Sequence, residues 1–154
     1  MTLQVGDKAP DFTLLSDQNQ LISLNNLIGK KIILYFYPKD NTPGCTQEAC
    51  DFRDSFAQFA SFNTEVIGIS KDSPAKHTRF KQKYALPFTL LADETGDICE
   101  AYGALDKQSL FGKSFLGIRR STFLIDENGV IRAIWNKVKI NGHIKQVLHE
   151  LTRL

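Results

Sequence analysis

Six consecutive apolar residues, Ile32-Ile33-Leu34-Tyr35-Phe36-Tyr37, follow Lys30-Lys31 and end at Pro38. The run is β-branched and aromatic, with no polar residue alternating along it. A strand with one wet face alternates, and a strand without alternation is covered on both faces. The run therefore predicts a central strand in a layered α/β arrangement, with Pro38 as its stop. The 154-residue chain suits one domain over 1–154, and 42% hydrophobic residues supply its core.

The flanking patterns give the order of elements. Phe12–Leu15 and Gln20–Leu24 read as a hairpin around Ser16-Asp17-Gln18-Asn19. Thr42-Pro43 reads as an N-cap with proline at the first helical position. The stripe Ala49, Phe52, Phe56, Phe59 carries that helix to about Phe62. Val66–Ser70 is a second buried strand, and Ser73-Pro74 opens a helix with His77, Phe80 and Tyr84 inward. Phe88–Ala92 is a strand and Gly96–Tyr102 a short helix. Ser121–Ile125 and Val130–Val138 form a hairpin around Asn128-Gly129, and Gly142–Leu154 is a closing helix. The expectation is a three-layer fold with a mixed central sheet, helices on both faces and an extra N-terminal hairpin.

The chemistry concentrates where the central strand passes into a helix, at Thr42-Pro43-Gly44-Cys45-Thr46-Gln47-Glu48-Ala49-Cys50. Cys45 falls in the first helical turn, where free N–H groups and the helix dipole favour an anion. A thiol there is expected to be partly thiolate, the nucleophilic form. Gly44 permits close approach to the backbone. Cys50 lies five residues on, so an intact helix holds the two Cα atoms about 8–9 Å apart. A disulfide needs less than about 7 Å. The spacing therefore fits a bridge that forms only when the helix start unwinds. A thiolate in this setting can attack a peroxide oxygen and become a sulfenic acid, which a nearby thiol converts to a disulfide. Donors must then meet the departing oxygen. The Cys45 N–H and the Thr42 hydroxyl are candidates, completed by an arginine from elsewhere in the chain.

These residues resemble a known pattern. Pro38-x-x-x-Thr42-x-x-Cys45 is similar to the active-site motif of the peroxiredoxins. Thr-Pro-Gly-Cys with a Cys-x-x-x-x-Cys step resembles their bacterioferritin-comigratory, or Q-type, subfamily. Gly6–Phe12 resembles the family's opening, and Gly117–Asp126 its arginine-bearing strand. The resemblance implies a thioredoxin-like fold and reduction of hydrogen peroxide and organic hydroperoxides. It also implies reduction of the Cys45–Cys50 bridge by thioredoxin or a similar dithiol. In roles, Cys45 is peroxidatic, Cys50 resolving, Pro38 shields the sulfur, and Arg120, in its Arg-x-Thr-Phe setting, binds the peroxide. Arg119 points the other way along a strand and is expected to be surface charge. Glu48 fits either a group supporting the site or a solvated helix residue. An intrachain bridge favours a monomer.

Other readings are weaker. A thiol–disulfide carrier or redox sensor is the main alternative, but carriers of the thioredoxin type use Cys-x-x-Cys. A thioredoxin-fold binding module with inert thiols is a third. Cys99 has no flanking motif and reads as a helical thiol, with a resolving role as its alternative. His77, His143 and His149 lack ligand spacing, so no metal and no cofactor are expected. Lys76, Arg79, Lys81 and Lys83 read as a solvated helix face. A formal net charge of +2 does not suggest a dedicated nucleic-acid binder. Three cysteines exclude a disulfide-stapled scaffold. The opening residues have neither a basic start nor an apolar stretch, so no secretory leader is expected. No run approaches the ~20 apolar residues of a membrane span, so no membrane partner is expected either. Together these point to the cytoplasm.

Overall fold

The computed structural model describes residues 2–154. It opens with β1 (Thr13–Ser16), β2 (Leu21–Ser23) and a 3-10 turn (Leu24–Leu27). Then come β3 (Lys31–Phe36), α1 (Pro43–Asp54), α2 (Phe56–Ser61), β4 (Thr64–Ser70), α3 (Pro74–Tyr84), β5 (Thr89–Ala92) and α4 (Asp97–Ala101). The chain closes with β6 (Leu105–Leu110), β7 (Lys113–Ile118), β8 (Ser121–Ile125), β9 (Ile131–Trp135) and α5 (His143–Thr152). Seven strands form one mixed sheet in the order β2-β1-β5-β4-β3-β8-β9. The pairs β3–β4 and β4–β5 are parallel, so helices must cross between them; the other neighbours are antiparallel.

The unbroken apolar run lies where its pattern requires. Ile32, Leu34 and Phe36 face one core with Ile67, Ile69, Tyr102 and Phe123. Ile33, Tyr35 and Tyr37 face the other with Phe52, Phe59, Phe80, Val147 and Leu151. Tyr35 stacks on Phe52 with ring centroids 4.6 Å apart, which fixes α1 against β3. The two faces are not equally helical. Residues of α1, α2, α3 and α5 fill one core, whereas α4, Phe12, Leu24 and Ile118 cover much of the other.

Three local expectations change. The helix predicted to run unbroken to Phe62 divides at Ser55, whose φ/ψ of −107°/11° leaves the helical region. Asp54 and Ser55 are weak helix formers that compete for backbone hydrogen bonds. The strand predicted over 130–138 is regular only to Trp135, although Val138 still donates its N–H to the Arg120 carbonyl (3.0 Å). The sequence reading assigns no element between Tyr102 and Gly117, yet β6 and β7 form a separate two-stranded hairpin there. Its turn is Phe111-Gly112, with φ of +52° and +77°. Asn-Gly or Asp-Gly would announce such a turn, and phenylalanine does not.

Candidate functional site

The site is assembled at one end of the sheet. After β3 the chain passes Tyr37 and the exposed Pro38, turns at Asn41 (φ +63°), and enters α1. On the neighbouring strand Phe36 pairs with Ser121, the first residue of β8. Arg120, directly before β8, therefore arrives at the same sheet end as the start of α1. Its guanidinium lies 2.7 Å from Glu48 Oε1 through one nitrogen and 3.5 Å from Cys45 Sγ through the other. A Cβ on Gly44 would come within 3.2 Å of Arg120 Nη2 and 3.4 Å of Ile140 Cδ1. The close packing of arginine over the first turn of α1 therefore favours glycine at this position.

Cys45 is buried, with 2% of its surface exposed, and Cys50, in the same helix, is half-buried. Both are free thiols. Pro43 has no N–H, and the Thr46 N–H bonds the Thr42 carbonyl at 2.8 Å. The Gly44 and Cys45 amides therefore remain as the first-turn donors without intrahelical partners. Thr42 holds the N-cap position, but its side chain makes no cap hydrogen bond. Its hydroxyl instead donates to the Lys39 carbonyl at 2.8 Å. This changes the expected chemistry of Thr42. Its proton is committed, so its oxygen offers lone pairs to the site as an acceptor rather than acting as a donor.

Glu48 is almost wholly buried, so the solvated alternative fails. It lies four residues before Phe52 on the inward face of α1, a spacing that could have revealed it. Burial pushes its carboxyl up to about 7, against the opposing pull of Arg120. Burial lowers Arg120, but Glu48 and Cys45 outweigh it and leave the guanidinium raised. Among the described residues, Glu48 Oε2 and the Tyr35 hydroxyl have no hydrogen-bond partner. Burial, then the negative charges of Glu48 and Cys45, push Tyr35 well above its usual range.

A pH dependence follows. The carboxyl of Glu48 holds its proton to about 7 in the folded protein, against 4.5 for its ordinary value. The folded state thus binds more protons across that interval, and stability falls as pH rises through it. The loss is about 3 kcal/mol and is complete once Glu48 has ionised. Glu48→Gln is expected to remove that slope. Urea unfolding at about pH 5 and about pH 8 checks it; an equal slope in both proteins would refute the assignment.

Beside the site lies a buried polar network. Tyr37 donates to Asp40 Oδ1 at 2.6 Å, and His77 Nδ1 lies 2.6 Å from Asp40 Oδ2. Asp72 Oδ2 accepts from the Asp40 N–H and from Ser70. Asp40, Asp72 and His77 are close enough together to hold a metal ion. Their facing atoms already satisfy one another, and His77 Nε2 meets the Leu91 carbonyl at 2.9 Å. The chemistry of the set is that of a structural brace for the Lys39–Asn41 loop. The helix spacing places His77 inward, whereas Asp40 carries no periodic signal.

Arg119 is a correction. Far from being loose surface charge, it bonds Asp106 and the carbonyls of Gly103 and Asn136, pinning the base of the β6–β7 hairpin. It does point away from Arg120's partners, as strand geometry predicts. Cys99 is fully buried in the core opposite Cys45. Burial, then the hydrogen bond and charge of the adjacent Asp93, push its thiol far up, away from the thiolate form. Cys99→Ser is expected to keep peroxide turnover within about twofold of the parent, as for a substitution remote from the reacting atoms. A collapse comparable to loss of Cys45 would show a resolving role.

Comparison with known proteins gives the family. Residues 5–134 match the AhpC/TSA family. A Coxiella burnetii protein with a provisional peroxiredoxin bcp name is 56% identical over 98% of this chain and 100% of its own. Peroxiredoxin Bcp of Bacillus subtilis is 48% identical over 98% of this chain and 96% of its own. Among solved structures, a cysteine-to-serine variant of Xylella fastidiosa PrxQ superposes with a TM-score of 0.93 at 32% identity, covering 99% of this chain and 98% of that one. The bacterioferritin comigratory protein of Xanthomonas campestris, studied for alkyl peroxide reduction, gives 0.88 at 34% identity, covering 92% and 90%. Among the described residues, no helix is long and apolar enough to cross a membrane. On the thiol at the start of α1, the thioredoxin-like architecture and these matches, the chain belongs to the AhpC/TSA family, among the Bcp-type peroxiredoxins, which are thiol-dependent peroxidases.

Proposed function

We propose that Cys45 is the peroxidatic residue, Cys50 its resolving partner, and Thr42, Arg120 and Pro38 the groups that shape the reaction. The observation that carries this reading is the Arg120 guanidinium, held by Glu48 and touching Cys45 Sγ above two unpaired amides. The Cys45 thiolate attacks the terminal oxygen of a hydroperoxide, the O–O bond breaks, and the sulfur becomes a sulfenic acid. The departing alkoxide or hydroxide leaves as alcohol or water after taking a proton. Arg120 and the Gly44 and Cys45 N–H groups face the negative charge that develops. Thr42 accepts from the peroxide's own O–H, and Pro38 flanks the sulfur. Cys50 then attacks the sulfenic acid, water leaves and a Cys45–Cys50 disulfide remains. A dithiol such as thioredoxin reduces it by exchange. Sulfur carries the electrons throughout, so no cofactor takes part in the steps.

The substrates under this reading are hydrogen peroxide and organic hydroperoxides, the latter supported by the alkyl peroxide work on the Xanthomonas relative. The protein acts as one domain and as a monomer in a reducing compartment such as the cytoplasm, without nucleic acid. The test is a coupled assay with thioredoxin and its reductase, comparing hydrogen peroxide with a bulky hydroperoxide. Turnover of both peroxides is expected. Oxidation of Cys45 at the rate of an ordinary thiol would leave the carrier or sensor reading and the inert binding-module reading.

A further inference from the structure

The β6–β7 hairpin takes no part in the mechanism and meets the core only at its base, through Leu105 and Ile118, yet it carries a dense set of exposed apolar side chains. Phe111 at its tip is 94% exposed, and Leu110, Leu116 and Phe115 are exposed behind it. The two strands pair only with each other. At ~3.3 Å per residue, each six-residue strand extends about 20 Å. Phe111 also holds a left-handed φ of +52°. Such a conformation costs a bulky residue about 1 kcal/mol, and here the side chain gains no burial in return.

The arrangement indicates what could cover this surface. Cross-strand partners share a face, so Leu110 and Phe115 lie with Lys113 and Gln108 on one side. Leu116 lies with Lys107 on the other, and Phe111 stands at the end. A flat interface with a second protein would collect its apolar residues on one face. Apolar residues on both faces and at the tip suit a medium that surrounds the tip. Lys107 and Lys113 flank these residues and have no ion-pair partner among the described residues, whereas the hairpin's one acidic group, Asp106, is taken by Arg119. We propose that this hairpin is a surface anchor that seats its tip in an anionic lipid bilayer. Phe111, Leu110, Phe115 and Leu116 enter the headgroup–acyl boundary, and the two lysines stay with the lipid phosphates. The outer backbone edges of β6 and β7, unpaired, hold the insertion at that shallow level. The expectation of no membrane partner rested on the lack of a spanning segment; a surface anchor needs none.

The anchor also has a direction. β7 runs straight into Arg119 and Arg120, and β8 begins opposite the end of β3 that leads to Cys45. The hairpin therefore projects from the sheet end that carries the candidate site.

The test is co-sedimentation of the reduced protein with vesicles of mixed phosphatidylglycerol and phosphatidylcholine, and with phosphatidylcholine alone. Binding is expected to the mixed vesicles, to weaken in high salt, and to fall about tenfold in Phe111→Ser. Lys107→Glu with Lys113→Glu is expected to lose at least about tenfold. All three positions are exposed, so unfolding midpoints and hydrogen peroxide turnover should be unchanged, which separates this result from the peroxidase reading. Equal sedimentation of wild type and Phe111→Ser would overturn the proposal. A concentration-dependent dimer lost in Phe111→Ser, seen by analytical ultracentrifugation, would overturn it in favour of a second copy.

Discussion

Cys45→Ser is expected to abolish peroxide turnover, and Arg120→Ala to slow oxidation of Cys45 by about 10²–10³-fold. The first effect is complete because no other sulfur can substitute. Cys99 is sealed in the opposite core with its thiol pushed far up. Cys50 lies two turns into α1, away from the free amides that end the helix. Serine keeps the shape of the site but offers no thiolate. The second effect is graded because Arg120 is one of several donors. Alanine removes the contact to Cys45 Sγ and leaves the Gly44 and Cys45 amides in place. It also strips Glu48 of its partner in a buried setting, and without the opposing pull of Arg120 the Glu48 carboxyl keeps its proton to still higher pH. Arg120→Lys separates the two consequences. It keeps the charge beside Glu48 but lacks the fork that reaches Glu48 and Cys45 together. Stopped-flow oxidation with hydrogen peroxide, on variants shown to be folded by denaturant titration, checks both. A rate within a factor of about three of wild type for Arg120→Ala would remove the arginine from the reaction and leave it a structural brace.

Much of this site is legible in the sequence because its signals are local. Pro38, Thr42, Cys45 and Cys50 sit within 13 residues around one strand-to-helix junction, where hydropathy and capping patterns place the helix start. The unbroken run Ile32–Tyr37 fixes the central strand for the same reason. Arg120 is different. Nothing in its neighbourhood says which element it will meet, and resemblance rather than periodicity selects it over Arg119. The pairing of Phe36 with Ser121 is what brings it to Cys45, and register between distant strands has no local signature. The orientation of the Thr42 hydroxyl is set by the local turn, where it donates to the Lys39 carbonyl three residues back. The β6–β7 hairpin stays hidden because its turn uses Phe111 where a turn residue would normally stand.

Cys50→Ser is expected to consume one equivalent of peroxide and then stop in the thioredoxin-coupled assay, with α1 still folded. Cys45 and Cys50 share an intact helix, which holds their Cα atoms about 8–9 Å apart, beyond the ~7 Å limit for a bridge. Closing the bridge in the wild type must therefore unwind the start of α1. That step breaks the Thr46–Thr42 backbone bond, lifts Cys45 out of its buried position and pulls Glu48 away from Arg120. Without the Cys50 thiol the sulfenic acid has nothing to drive that opening and persists on Cys45. Cys99 cannot rescue it, since the central sheet separates the two cores. Hydrogen exchange distinguishes the outcomes. Oxidised wild type is expected to lose amide protection from Cys45 to Phe52 by about tenfold or more relative to reduced protein. Peroxide-treated Cys50→Ser is expected to keep that protection and to trap a sulfenic-acid reagent at Cys45. If oxidised wild type kept full protection there, the disulfide would have to form without unwinding, and Cys45–Cys50 could not be the pair.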